Sequence, residues 1–152
     1  MKENLQNKVC LITGATNGIG EEAAKQIALM GAEIVFIARN QTKANQLNET
    51  IKSLTGREST PIIADLSSQS EVKKAAEEFL SLNKPLHILL NNAAGNFISP
   101  TEMLSPNAFK TVIDIVLMGT WNCISTIGKE MIKNKKGNVL SIVTTYAWTG
   151  SP

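Results

Sequence analysis

Apolar residues in this chain fall into two patterns that alternate along its length. Short, predominantly apolar stretches of strand length occur at 9–12, 32–38, 61–64, 86–90 and 138–144. Runs without polar alternation are expected where a strand is covered on both faces. Between them the apolar positions are spaced three or four residues apart, which predicts helices ending near residues 30, 54 and 82, and a long helix from about 107 to 134. The first helix carries Ile19, Ala23 and Ile27 at four-residue spacing, Glu21 and Glu22 in its opening turn, and Gly31 at its close. Strict alternation of strand and helix predicts one α/β domain over residues 1–152. Its core would be a doubly wound parallel sheet which right-handed crossovers order 3-2-1-4-5.

The turn after the first run reads Thr13-Gly14-Ala15-Thr16-Asn17-Gly18-Ile19-Gly20. Glycines at 14, 18 and 20 can take positive φ and let a pyrophosphate approach bare backbone, and the helix that follows points its free N–H groups at the same place. Glycine turns also arise for steric reasons alone, so the neighbouring strand ends carry much of the weight. The second strand ends in Ala38-Arg39-Asn40, with no carboxylate to accept from a ribose 2′-hydroxyl. Arg39 offers a planar fork to a 2′-phosphate, which reads as a preference for NADP(H); the alternative is a solvated surface charge. Asp65-Leu66-Ser67 follows the third strand, and Asp65, Ser67 or Ser68 could equally cap the next helix. Asn91-Asn92-Ala93-Ala94-Gly95 follows the fourth, where by itself it would be an ordinary turn.

Taken together, the order and spacing of these motifs resemble the short-chain dehydrogenase/reductase superfamily, which implies a Rossmann-type fold. The resemblance places Gly14, Thr16, Asn17, Gly18, Ile19, Gly20, Arg39, Asp65, Leu66, Asn91 and Ala93 at the cofactor. It puts Asp65 against the adenine ring, gives the first asparagine, Asn91, the task of bracing neighbouring strands, and lets the small residues pass the cofactor close by. From about residue 89 to 150 the chain looks like 2,4-dienoyl-CoA reductase, through 94–100, 114–120 and Thr144-Thr145-Tyr146-Ala147. That likeness implies that Asn96 and Tyr146 hold the thioester oxygen, with Phe97 and Ser105 lining the acyl-CoA site. Charge pushed onto that oxygen during reduction of a conjugated thioester would be met by these two donors. Standing alone, Tyr146 would read as an amphipathic aromatic packed near Trp148. Val116 stands where many superfamily members have an asparagine, which fits the dienoyl reductases.

The first half is closer to the retinol dehydrogenase-like branch, and Ser67 stands where a basic residue would be expected for the acyl-CoA substrate. The chain thus reads as truncated or chimeric, changing over near Asn91. The resemblance implies a further segment with a catalytic lysine that would lower the tyrosine pKa. Lys129, Lys133, Lys135 and Lys136 are instead helix C-terminal cations. As given, the chain is expected to be inactive or weakly active. Two other readings stay open, a retinol dehydrogenase-like alcohol or carbonyl oxidoreductase and a non-catalytic nucleotide-binding or dimerising fragment.

Composition narrows the picture modestly. The 152 residues suffice for one core, 43% are hydrophobic, and the formal net charge is +2, without a basic stripe for nucleic acid. Cys10 and Cys123 are separated and read as reduced, buried thiols; His87 is the single histidine and lacks ligand partners at metal spacing, so no metal is expected. The apolar runs are of strand length and the opening residues are polar, so no membrane span and a cytoplasmic location are expected. The fifth strand is expected at a sheet edge, and Ile113, Val116, Leu117 and Ile124 are expected to lack full cover. A homo-oligomer through the 107–134 helix, acting on a small acyl-CoA thioester, completes the expectation.

Overall fold

The computed structural model describes residues 4–95 and 99–143. Five parallel strands, β1 (Val9–Thr13), β2 (Glu33–Ala38), β3 (Thr60–Ile63), β4 (Ile88–Asn91) and β5 (Asn138–Ser141), form one sheet in the order β3-β2-β1-β4-β5. Helices α1 (Gly18–Leu29), α2 (Gln41–Thr55) and α3 (Gln69–Ser81) alternate with the first four strands. A 3₁₀ turn at Thr101–Met103 precedes a continuous helical path made of α4 (Pro106–Val112), a π-helical segment (Ile113–Met118), α5 (Gly119–Thr126) and α6 (Lys129–Lys133). The predicted architecture is therefore present, and its physical origin lies in the strand runs.

Successive residues of a strand face opposite sides, so an unbroken apolar run supplies two cores at once. Val9, Leu11, Val35 and Ile37 pack on one side with Val72, Phe79, Cys123 and Ile127 from α3, α5 and the residue following α5. Cys10, Ile12, Ile34 and Phe36 pack on the other with Ala24, Ala28, Leu47 and Ile51 from α1 and α2. Burial pushes both cysteine thiols up to about 12, leaving them protonated and poorly nucleophilic.

Three expectations need correction. The fully buried residues of α1 are Gly20, Ala24 and Ala28, while Ala23 and Ile27 are half-buried against the same core and Ile19 turns outward, 68% exposed. Small side chains let the helix backbone lie close to the sheet, and that close approach outweighs the larger residues one position away. The long helix is not uniformly α-helical: the Gly119 N–H reaches back five residues to the Asp114 carbonyl. Finally, the 28-residue path Pro106–Lys133 is long and apolar enough to cross a bilayer by length and composition, which the strand-length runs had hidden. Here its Cys123, Ile127 and Met131 pack against the sheet.

Candidate functional site

The strand order reverses between β1 and β4, so the loops leaving their carboxyl ends diverge and open a crevice. A cleft of about 710 Å³ lies there, bounded by the ends of β1, β2, β3 and β4 and by the π-helical segment. Its floor is braced across β1 and β4. The Thr13 hydroxyl oxygen accepts from the Asn92 N–H at 2.9 Å and the Ala93 N–H at 3.0 Å. In return the Asn92 side-chain amide donates to the carbonyls of Thr13 at 3.2 Å and Gly14 at 3.0 Å. The bracing asparagine is thus the second of the pair. Asn91 is buried at 4% exposure, and its side-chain amide has no hydrogen-bond partner among the described residues.

The glycines of the turn do different work. Gly14 sits at φ +66°, and a Cβ on it would fall 2.7 Å from the Ala93 Cα, so this position is constrained both by conformation and by the opposing strand end. Gly18 takes φ +54° with open space around it. Gly20 does not need positive φ, contrary to expectation; a Cβ there would run into the Asn92 side chain and the Gly14 carbonyl. Asn17 is the residue before α1, yet its side chain makes no capping bond, so the first helical N–H groups remain directed at the turn. Thr16, Asn17 and Ile19 line the cleft with Gly14, which gives it a backbone-rich wall suited to an anionic group.

The opposite wall begins where β2 ends. Arg39, Asn40 and Lys43 line it, and Asn40 caps α2 by accepting from the Lys43 N–H at 2.9 Å. Neither Arg39 nor Lys43 belongs to an ion pair among the described residues. Ala64, Asp65 and Leu66 follow from β3. The two roles weighed for this segment are divided: Ser68 caps α3, accepting from the Glu71 N–H at 3.4 Å, while Asp65 lines the cleft. The Asp65 carboxylate accepts from the N–H and hydroxyl of Ser67 at 2.9 and 2.8 Å, and the Asp65 N–H donates to Glu71 at 2.6 Å, which fixes the loop.

Ala93, Ala94 and Ile115 close the end nearest β4. A Cβ on Gly95 would meet the Ile115 Cδ1 at 3.1 Å, so the glycine lets this wall sit close to the β4 loop. Ser105 stands apart from the cleft, capping α4 by accepting from the Ala108 N–H at 3.2 Å. Asn96, Phe97 and Tyr146 lie outside the described residues. Sequence reasoning missed Thr13 as a brace, Lys43 and Ile115. Lys43 stands four residues after Arg39, in the first turn of α2, a usable signal; Thr13 and Ile115 depend on contacts between distant parts of the chain.

Residues 8–152 match the family model described as short chain dehydrogenase. The chain belongs to the short-chain dehydrogenase family. Two Caenorhabditis elegans proteins, an uncharacterized oxidoreductase and "Probable 2,4-dienoyl-CoA reductase 3 [(3E)-enoyl-CoA-producing]", are each 42% identical to it, over 98% and 97% of this chain respectively. The chain spans about half the length of these relatives, 48% in both cases. A short-chain dehydrogenase of Escherichia coli CFT073, crystallised with NADPH, superposes with a TM-score of 0.91 at 25% identity, over 99% of this chain and 64% of that one. As a short-chain dehydrogenase chain, it places its sheet crevice, glycine turn and basic strand end around a single cleft.

Proposed function

We propose that this chain forms the cofactor-binding part of an NADP-dependent reductase acting on 2,4-dienoyl-CoA thioesters. The observation that carries the cofactor half is the cleft itself, in which a glycine-lined helix start faces a wall bearing Arg39 and no carboxylate at the end of β2. The residues present fit a nicotinamide dinucleotide: a Cβ on Gly14 or Gly20 would collide with the β4 loop or the turn itself, whereas Gly18 at φ +54° leaves its backbone bare with open space around it. The N–H groups opening α1 would hold the pyrophosphate, Arg39 the 2′-phosphate, and Asp65 with Leu66 the adenine side. When bound, the reduced nicotinamide supplies two electrons to an acceptor carbon.

The substrate half rests on the named relative and on the residues after β4. On this reading Asn96 and Tyr146 donate hydrogen bonds to the thioester oxygen as negative charge gathers on it, with Phe97 and Ser105 beside the acyl chain. Ser105 spends its acceptor on the helix cap and keeps its O–H to give. We propose further that the long helix mediates self-association, because Phe109, Leu117 and Trp121 are 58%, 61% and 60% exposed.

The test is to supply the purified chain with NADPH and a short 2,4-dienoyl-CoA and to follow both thioester binding and nucleotide oxidation. Binding of the thioester that requires nucleotide, and that Asn96→Ala weakens, supports the reading. Nucleotide binding with no thioester affinity would overturn the substrate half and leave the cofactor half standing.

A further inference from the structure

We propose that Lys43 is a specificity-determining residue which shares the nucleotide 2′-phosphate with Arg39, so that one cation from the end of β2 and one from the first turn of α2 read this group. The inference rests on the cofactor reading above and sharpens it. Arg39 is the first residue beyond β2, and Asn40 caps α2 by accepting from the Lys43 N–H. That cap fixes the first turn of a 15-residue helix, and with it the position from which the Lys43 side chain leaves. All three residues line the same end of the cleft.

Charge supports the same conclusion. Five lysines pair with surface carboxylates, while Arg39 and Lys43, like Lys8, Lys73, Lys74, Lys129, Lys135 and Lys136, pair with none among the described residues; of these unpaired cations, Arg39 and Lys43 line the cleft. The first turn of α2 carries no acidic residue. The carboxylate that does line the cleft, Asp65, is held by the N–H and hydroxyl of Ser67. Two unpaired cations beside a helix start form a place where a dianionic group is favoured and a hydroxyl gains little. A single exposed ion pair is weak in water, so discrimination by Arg39 alone would be modest; a second cation on the same phosphate adds to it.

The experiment measures affinities of NADPH and NADH for the wild type, Lys43→Gln, Lys43→Arg and Arg39→Gln, with 2′,5′-ADP as a probe of the phosphate corner alone. Lys43→Gln should weaken NADPH and 2′,5′-ADP by roughly three- to tenfold, leave NADH within about twofold, and do so less at high salt. Lys43→Arg should restore most of the loss. Lys43 is exposed, so folding of these variants can be confirmed by an unchanged thermal midpoint. A wild type that favours NADPH while Lys43→Gln keeps the same NADPH-to-NADH ratio overturns this inference alone. A wild type that binds neither nucleotide overturns the cofactor reading and this inference with it.

Discussion

Gly14 and Gly18 share a positive φ but differ in what surrounds them, and a single methyl group separates their roles. Gly18→Ala meets only the left-handed penalty and should cost about 1 kcal/mol in chemical denaturation. Gly14→Ala adds a clash with the Ala93 backbone and should cost about 3 kcal/mol or more, with loss of nucleotide binding. Equal effects from the two would contradict the close approach of β1 and β4. Thr13→Val keeps the shape of the side chain and removes the acceptor of two backbone N–H groups. It should destabilise the chain by about 1–3 kcal/mol, since those donors are left unsatisfied in a part-buried place. The positive φ of Gly14 and Gly18 could be read from sequence because that demand is local. Thr13 could not, because its partners stand 79 and 80 residues away.

At the scale of elements, the strands were legible because two-sided burial writes itself as unbroken apolar runs. The facing of α1 was legible only in part: Ile27 packs at the edge of the core as its spacing suggests, yet Ile19 is exposed and the fully buried positions are Ala24 and Ala28, because proximity to the sheet decides the face. The π-helical segment was also invisible, and with it the placement of Ile115 on the cleft wall. At the other end of the sheet, His87 ties β1, β4 and β5 together. Its ring Nδ1 accepts from the Val9 N–H at 2.9 Å, its backbone N–H donates to the Val9 carbonyl, and its backbone carbonyl accepts from the Asn138 N–H. Burial, with Lys8 and Lys136 nearby, holds its pKa below the usual histidine value of 6.5; a hydrogen bond with the Pro85 backbone opposes this shift. A depressed folded pKa means that the unfolded chain binds the proton more readily. The stability contributed by neutral His87 is therefore fully present above about pH 6.5 and falls as pH drops below it toward the folded value. Urea midpoints measured from pH 7.5 down to 5 should decline for the wild type, and His87→Asn, which retains an acceptor but does not titrate, should flatten that part of the decline. An identical slope in both proteins would remove His87 from the account.

On the scale of the whole molecule, two apolar regions are left uncovered among the described residues. Val139 and Leu140 on β5 are 46% and 55% exposed at the sheet edge, and Leu117 and Trp121 stand out from the long helix. Both were anticipated in kind, since an edge strand exposes unpaired backbone and the long helix carries more apolar residues than one face can bury. Of the residues named in advance, Val116 and Leu117 are exposed, while Ile124 packs against the core. Sedimentation should show concentration-dependent association of this chain, and Leu117→Lys combined with Trp121→Glu should shift it toward monomer. Association unchanged in the double variant would place the contact elsewhere, with the β5 edge next to be tested.

The central claim is that a sheet crevice and a basic strand end together make an NADP-selective site, and calorimetric titration of wild type and Arg39→Ala with NADPH and NADH addresses it most directly. The account predicts tighter binding of NADPH than NADH by the wild type, with NADPH weakened about tenfold by Arg39→Ala and NADH little changed. No binding of either nucleotide, or an Arg39→Ala variant that retains the full preference for NADPH, would contradict it.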